Sequence, residues 1–276
     1  MRTPGFITAI LIVHAISIAI AHSQSRYPDT NVPLLDGVVN FGPLPGESGV
    51  WEIDYNENMA DFAAGRTSRD ILSVHQIRGS AAEPHLPFMP WSAAVYDYNI
   101  GNFAKYDPES YCDPPGGPRL FTAPYPMEIV QIPGQERIFF MFEISHLWRE
   151  VYLDGRKHPV SAAGAWLGHS VGRYEDAGRT LVIDVSNFNE RTWLDFAGHP
   201  HTNQLHVVEK FTRPTRNQLH YEALIDDPGA YTHPWTVAWD MKWWPNGQLD
   251  EYICNENNRY IRSLKDDFGK LMFFAK

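Results

Sequence analysis

A mainly β fold, an antiparallel meander closing into a lipocalin-like barrel, is what the sequence predicts, and three observations predict it. From Met127 onward, short runs alternate apolar and polar residues, the period of a half-buried strand. Turn residues separate those runs at close intervals: Pro133-Gly134, Asp154-Gly155, Asp176-Ala177-Gly178, Pro214, Pro228-Gly229 and Asn246-Gly247. Aromatic residues make up 13% of the chain, nine of them Trp and thirteen Tyr, and such side chains fit pleated surfaces and apolar cavities.

Residues 1–21 read as a signal peptide. Arg2 gives a positive start, Phe6 to Ala21 is an apolar run broken by Thr8, His14 and Ser17, and Ala19-Ile20-Ala21 supplies the small residues of a cleavage site. The run is shorter than the roughly 20 residues a membrane-spanning helix needs, and no later segment is apolar enough to span. The expected location is therefore periplasmic or secreted, as a mature chain without a membrane span. Residues 22–126 read as an irregular wrapping segment, because Pro and Gly recur and break any long pattern. Short helices are expected near Asp61–Ile71 and Pro90–Ala104.

Residues 127–258 form the β domain. Strands are expected at 127–132, 136–144, 147–154, 166–174, 179–187, 203–213, 217–226, 235–243 and 249–254. Strands met in sequence order predict an antiparallel meander, and a meander of this number closes into a lipocalin-like barrel; a β-sandwich is the alternative. The tail, 259–276, reads as an amphipathic C-terminal helix.

Alternation assigns faces. Leu205, Val207 and Phe211 share a face with Glu209, opposite His206, Val208, Lys210 and Thr212. Leu147, Val151 and Leu153 share one with Arg149, and Leu167 and Val171 with His169. Trp235, Val237, Trp239, Met241 and Trp243 make one apolar face, with Asp240 and Lys242 turned away. An inward Arg149 and an inward Glu209 would each need a partner, for which the other is a candidate.

The formal net charge of −10, with no basic run, argues against nucleic acid as a partner. In an exported chain Cys112 and Cys254 are expected to form a disulfide. Chemistry-bearing residues are densest in 193–206, where Asp195 precedes His199, His201 and His206. Residues two apart in an extended chain point the same way, so His199 and His201 could clamp a divalent metal, completed by His206 or Asp195. The H-x-H spacing is similar to the cupin metal motif, but Gln204 and Leu205 stand where its Glu belongs. The same histidines also suit general acid–base chemistry, with Arg149 to hold an anion. Gly168-x-Ser170-x-Gly172 has nucleophile-elbow spacing, yet the residues that follow read as a hairpin rather than the required helix.

Cys112 to Arg119 (C-D-P-P-G-G-P-R), Tyr125 to Ile129, Tyr152 to Pro159 (Y-L-D-G-R-K-H-P), Trp166 to Glu175, Trp193 to His201 and Cys254 to Asn258 (C-N-E-N-N) together resemble a widespread set of exported bacterial proteins. The resemblance carries no assigned reaction and so transfers no catalytic residue.

Two functions are expected. In the first, the barrel binds a small, partly apolar or aromatic molecule in a Trp/Tyr-lined cavity, with Trp193, Trp235, Trp239 and Tyr152 as ligand contacts. The second is an isomerase, lyase or hydratase, cofactor-free or metal-dependent, working through His199, His201, His206, Asp195, Arg149, His169 and Glu209.

Overall fold

The alternating runs become strands close to the bounds their turn residues set. The computed structural model describes residues 32–53, 58–63, 86–102, 105–160, 163–256, 258, 265 and 270. In chain order the strands are β1 (Leu34–Leu35), β2 (Val38–Val39), β3 (Gly49–Glu52), β4 (Met127–Ile132), β5 (Arg137–Phe142), β6 (Trp148–Tyr152), β7 (His169–Glu175), β8 (Thr180–Ser186), β9 (His206–Thr215), β10 (Gln218–Asp226) and β11 (Trp235–Pro245). Helix α1 spans Met59–Ala63 and α2 spans Pro90–Gly101. The expected signal peptide lies outside the described residues, as does the C-terminal helix apart from Lys265 and Lys270, and so does the 64–71 part of the first expected helix.

Strands β3 to β11 form a closed nine-stranded barrel in sequence order, with β11 pairing back onto β3. The mainly β, lipocalin-like expectation is borne out, and closure sets the sandwich aside. β1 and β2 form a separate small hairpin.

Three details of the sequence reading are corrected. The pair β6–β7 is parallel, Val151 lying opposite Ser170, so the connection 153–168 runs back along the barrel instead of making a hairpin. Residues 249–254 are not a strand. The place beside Lys242–Pro245 is taken by β3, which comes from the segment read as irregular. Gly49 permits this closure: its φ is +157°, and a Cβ there would lie 2.4 Å from the Trp243 ring. Finally, His169 is not inward. Ser170 is the buried residue of that pair, 1% exposed, and His169 lies on the outer face.

The inward faces of β9 and β11 are as alternation predicts. A short 3-10 turn, Pro118–Phe121, drives Phe121 into the barrel, where its ring lies 4.8 Å from Tyr221, 5.3 Å from Phe142 and 5.5 Å from Phe211. The middle of the barrel is thus filled by side chains. Arg149 and Glu209 pair there through two hydrogen bonds, Nη1 to Oε1 at 3.0 Å and Nη2 to Oε2 at 2.5 Å. Tyr221 donates its hydroxyl to the same carboxylate at 3.0 Å, and the rings of Phe121 and Phe140 each lie 5.1 Å from the guanidinium.

At the end where β9 begins and β10 finishes, α2 and the loops 187–205 and 227–234 build a crown. Cys112 and Cys254 form the expected disulfide, tying the chain before the barrel's second strand to the segment after its last. Among the described residues no helix is long and apolar enough to cross a membrane.

Candidate functional site

Asp195 organises the crown. Its carboxylate accepts from the backbone N–H groups of Gly198 (3.1 Å), His199 (3.2 Å) and Met59 (2.7 Å), and from Nδ1 of His199 at 2.6 Å. The first two bonds wind 195–199 into a tight turn, and the third satisfies an otherwise unpaired donor at the start of α1. Gly198 sits at φ +90°, where a Cβ would come within 2.6 Å of Asn99. Without one, α2 approaches and Asn99 donates Nδ2–H to the Gly198 carbonyl at 2.8 Å.

His199 is 1% exposed and stacks on Tyr96 at 4.3 Å between ring centroids and on Phe88 at 5.6 Å. The bond to Asp195 uses Nδ1 of the ring as its donor. No hydrogen bond joins Nε2 to a described residue.

His201 faces elsewhere. Its Nδ1–H donates to the Thr202 carbonyl at 3.0 Å, and its Nε2 takes the Thr192 hydroxyl proton at 2.7 Å. Burial pushes this imidazole below the ordinary His value of 6.5, so it is neutral near pH 7 and both nitrogens are satisfied. It forms part of the wall of a cavity of about 320 Å³ between α2 and the loop 190–202. Trp91, Val95 and Asn99, spaced four apart on α2, line one side; Glu190, Thr192 and Trp193 line the other.

Both Trp walls are held. Trp91 donates Nε1–H to the Gly229 carbonyl at 2.8 Å, although the side chain is 45% exposed. Trp193 lies 6.0 Å from the guanidinium of Arg119. Arg119 is itself fully buried, bonded to both oxygens of Asp107 at 2.7 Å and to Glu109 at 2.9 Å. Burial alone would lower its pKa, but those two carboxylates outweigh it and raise it.

His206 is remote from the crown cavity, on the outer barrel face. Its Nε2 meets Oδ1 of Asp184 at 2.9 Å, and Nε2 of His158 meets the same oxygen at 3.0 Å. Nδ1 of His158 in turn bonds Nδ1 of His169 at 2.9 Å, and Tyr152 stacks on His169 at 5.4 Å. Burial, with His158 alongside, lowers the His169 pKa. The expected metal trio His199, His201 and His206 is therefore not assembled. The Asp195 turn splays 199 and 201 apart, and His206 has crossed to the outer wall. Among the described residues no group of three or more His, Cys, Asp or Glu side chains is arranged to hold a metal ion.

Of the expected ligand contacts, Trp193 lies at the cavity and Tyr152 on the outer wall. Trp235 and Trp239 are inside the barrel, packed against Tyr231 (5.5 Å) and Tyr221 (4.6 Å). Trp235 is also 6.5 Å from His199. Arg149 and Glu209 are in the core, and Ser170 is inward on a strand rather than on an elbow. The sequence reading missed Trp91, Asn99 and Glu190 at the cavity, and His158 and Asp184 on the outer wall. The four-residue spacing of Trp91, Val95 and Asn99 after Pro90 was the signal that could have found the first two.

Comparisons with protein-family models, with curated proteins and with solved structures found no match to the chain.

Proposed function

We propose that the protein is an exported binding barrel that holds a small, partly apolar or aromatic molecule in the crown cavity between Trp91 and Trp193. One observation carries this reading: a cavity of about 320 Å³ flanked by two indoles, each fixed by its own partner. That volume falls at the small end of the range typical of ligand sites, and aromatic walls with a few polar groups are their usual lining. The filled middle of the barrel argues for the crown rather than the lumen. The disulfide and the signal-like first 21 residues support export to the periplasm or beyond, in keeping with membership of the exported bacterial set that the sequence resembles.

The test is a calorimetric screen of small aromatic alcohols, acids and amines against the wild type and Trp91→Ala. Because Trp91 is half-exposed, its loss leaves the core untouched. Binding weakened at least fivefold in the variant supports the reading; binding indifferent to Trp91, or none by any class, refutes it.

A second reading is favoured by the Asp195–His199 pair. A carboxylate that accepts from Nδ1–H and so orients the ring is the arrangement found behind a general-base histidine. It suits a cofactor-free isomerase, lyase or hydratase. On this reading His199→Gln abolishes turnover, and turnover unchanged in the variant would overturn it.

A further inference from the structure

We infer that the crown cavity selects organic cations, its ligand being an aromatic or alkyl ammonium compound. The inference rests on the reading of that cavity as the ligand site and adds the charge of the ligand.

Three features of the lining point the same way. No Lys or Arg is among its residues, and its one ionised side chain is the carboxylate of Glu190, which accepts the Asn203 N–H through Oε1 at 3.1 Å. Its side-chain donors are largely engaged within the protein. Trp91 Nε1–H is on Gly229, Asn99 Nδ2–H on Gly198, and the Thr192 hydroxyl on His201. The His201 N–H is on the Thr202 carbonyl, and the Thr202 hydroxyl is on Asp227 at 2.6 Å. What the cavity retains is acceptor capacity, in the Asn99 side-chain carbonyl, Thr192, Glu190 and the lone pair of Thr202 Oγ1 not taken by the Gln204 N–H, together with the indoles of Trp91 and Trp193, the latter also 6.0 Å from the Arg119 guanidinium. The side-chain donors left without a partner among the described residues are the Trp193 indole N–H and the second N–H of the Asn99 amide.

Indole faces attract cations through the ring quadrupole, most strongly when desolvated. An ammonium group brings either N–H donors for the acceptors or, when quaternary, a charged methyl surface for the rings. An anion would meet Glu190 and find few donors. Burial also keeps His201 uncharged near neutral pH, so it does not oppose a cation. The chain's net charge of −10 adds long-range attraction of the same sign.

The experiment is isothermal titration calorimetry of the whole mature protein with three matched probes: benzyltrimethylammonium, its uncharged carbon analogue neopentylbenzene, and benzoate. Wild type, Trp91→Ala and Glu190→Gln are compared, with thermal melts to confirm that both surface variants fold. The cation is expected to bind about tenfold or more tightly than the uncharged analogue, with benzoate weakest. Each variant should weaken the cation at least fivefold, and Glu190→Gln should leave neopentylbenzene unchanged. If cation and uncharged analogue bind equally while Trp91→Ala weakens both, the charge inference falls and the cavity reading stands. If benzoate binds best, the inference is reversed. If no probe responds to Trp91→Ala, the cavity reading itself fails and takes the inference with it.

Discussion

Arg149 and Glu209 are the most exposed point of the fold to single substitution, because each is 3% exposed or less and each neutralises the other. Removing one partner strands a charge in the aromatic middle of the barrel, an effect of about 3–5 kcal/mol. Glu209→Leu is therefore expected to lower stability by that amount in urea denaturation. The double variant Arg149→Met, Glu209→Leu should recover most of the loss, since apolar replacements of similar volume need no compensation. Equal losses in the single and double variants would show that the pair's geometry, not its charge balance, matters. His201 makes a second prediction, on pH. Its pKa is lowered in the folded state by burial, so as pH falls through about 6.5 the unfolded chain takes up a proton that the folded protein refuses. Stability from this group is present above that pH and lost below it. The urea midpoint should drop less between about pH 7.5 and 5.5 in His201→Gln than in the wild type; identical drops contradict the assignment.

The segment between β6 and β7 is the element on which the topology turns, because among the described residues these two are the one pair of strands that runs parallel. His158 fastens it to the wall by its bonds to Asp184 and His169. His158→Ala is expected to speed amide hydrogen exchange in 153–168 while costing about 0.5–1.5 kcal/mol overall. Unchanged exchange there would mean the connection is held by other contacts. The element scale also shows what was legible beforehand. β9, β10 and β11 could be read because each alternates in burial over nine or more residues, and the more apolar β5 and β8 because turn residues bound them. β3 could not, since Gly49–Glu52 is four residues long and lies among Pro and Gly with no alternation of its own. The parallel pairing of β6 and β7 was hidden for a different reason: alternation reports which face a residue takes, not which way the neighbouring strand runs. His169 was assigned inward by the same route, where register against Val151 decides for Ser170.

On the scale of the whole molecule, the disulfide ties the segment before β4 to the segment after β11. Cys112 and Cys254 close a loop 142 residues long, for which chain entropy gives about 5 kcal/mol at the upper end of disulfide contributions. Cys112→Ser, Cys254→Ser is expected to lower the melting temperature by several degrees while leaving β-sheet circular dichroism intact. A melting temperature equal to the wild type would show that these two segments stay docked without the bond. The candidate site was only partly legible for a reason that belongs to this scale. The cluster 193–206 was correctly singled out as dense, but an extended chain was assumed, and Asp195 instead bends it so that His199, His201 and His206 serve three separate environments. The second wall of the cavity comes from α2, about a hundred residues earlier, and no local pattern in 193–206 points to it.

The central claim is that a ligand enters the crown and not the barrel. It is tested most directly by fluorine NMR of the protein labelled with 5-fluorotryptophan, whose nine signals can be assigned by single Trp→Phe variants. Titration with benzyltrimethylammonium is predicted to shift the Trp91 and Trp193 signals while Trp51, Trp239 and Trp243 stay in place. Shifts at Trp235 and Trp239 with Trp91 unmoved would put the ligand in the lumen and contradict the account.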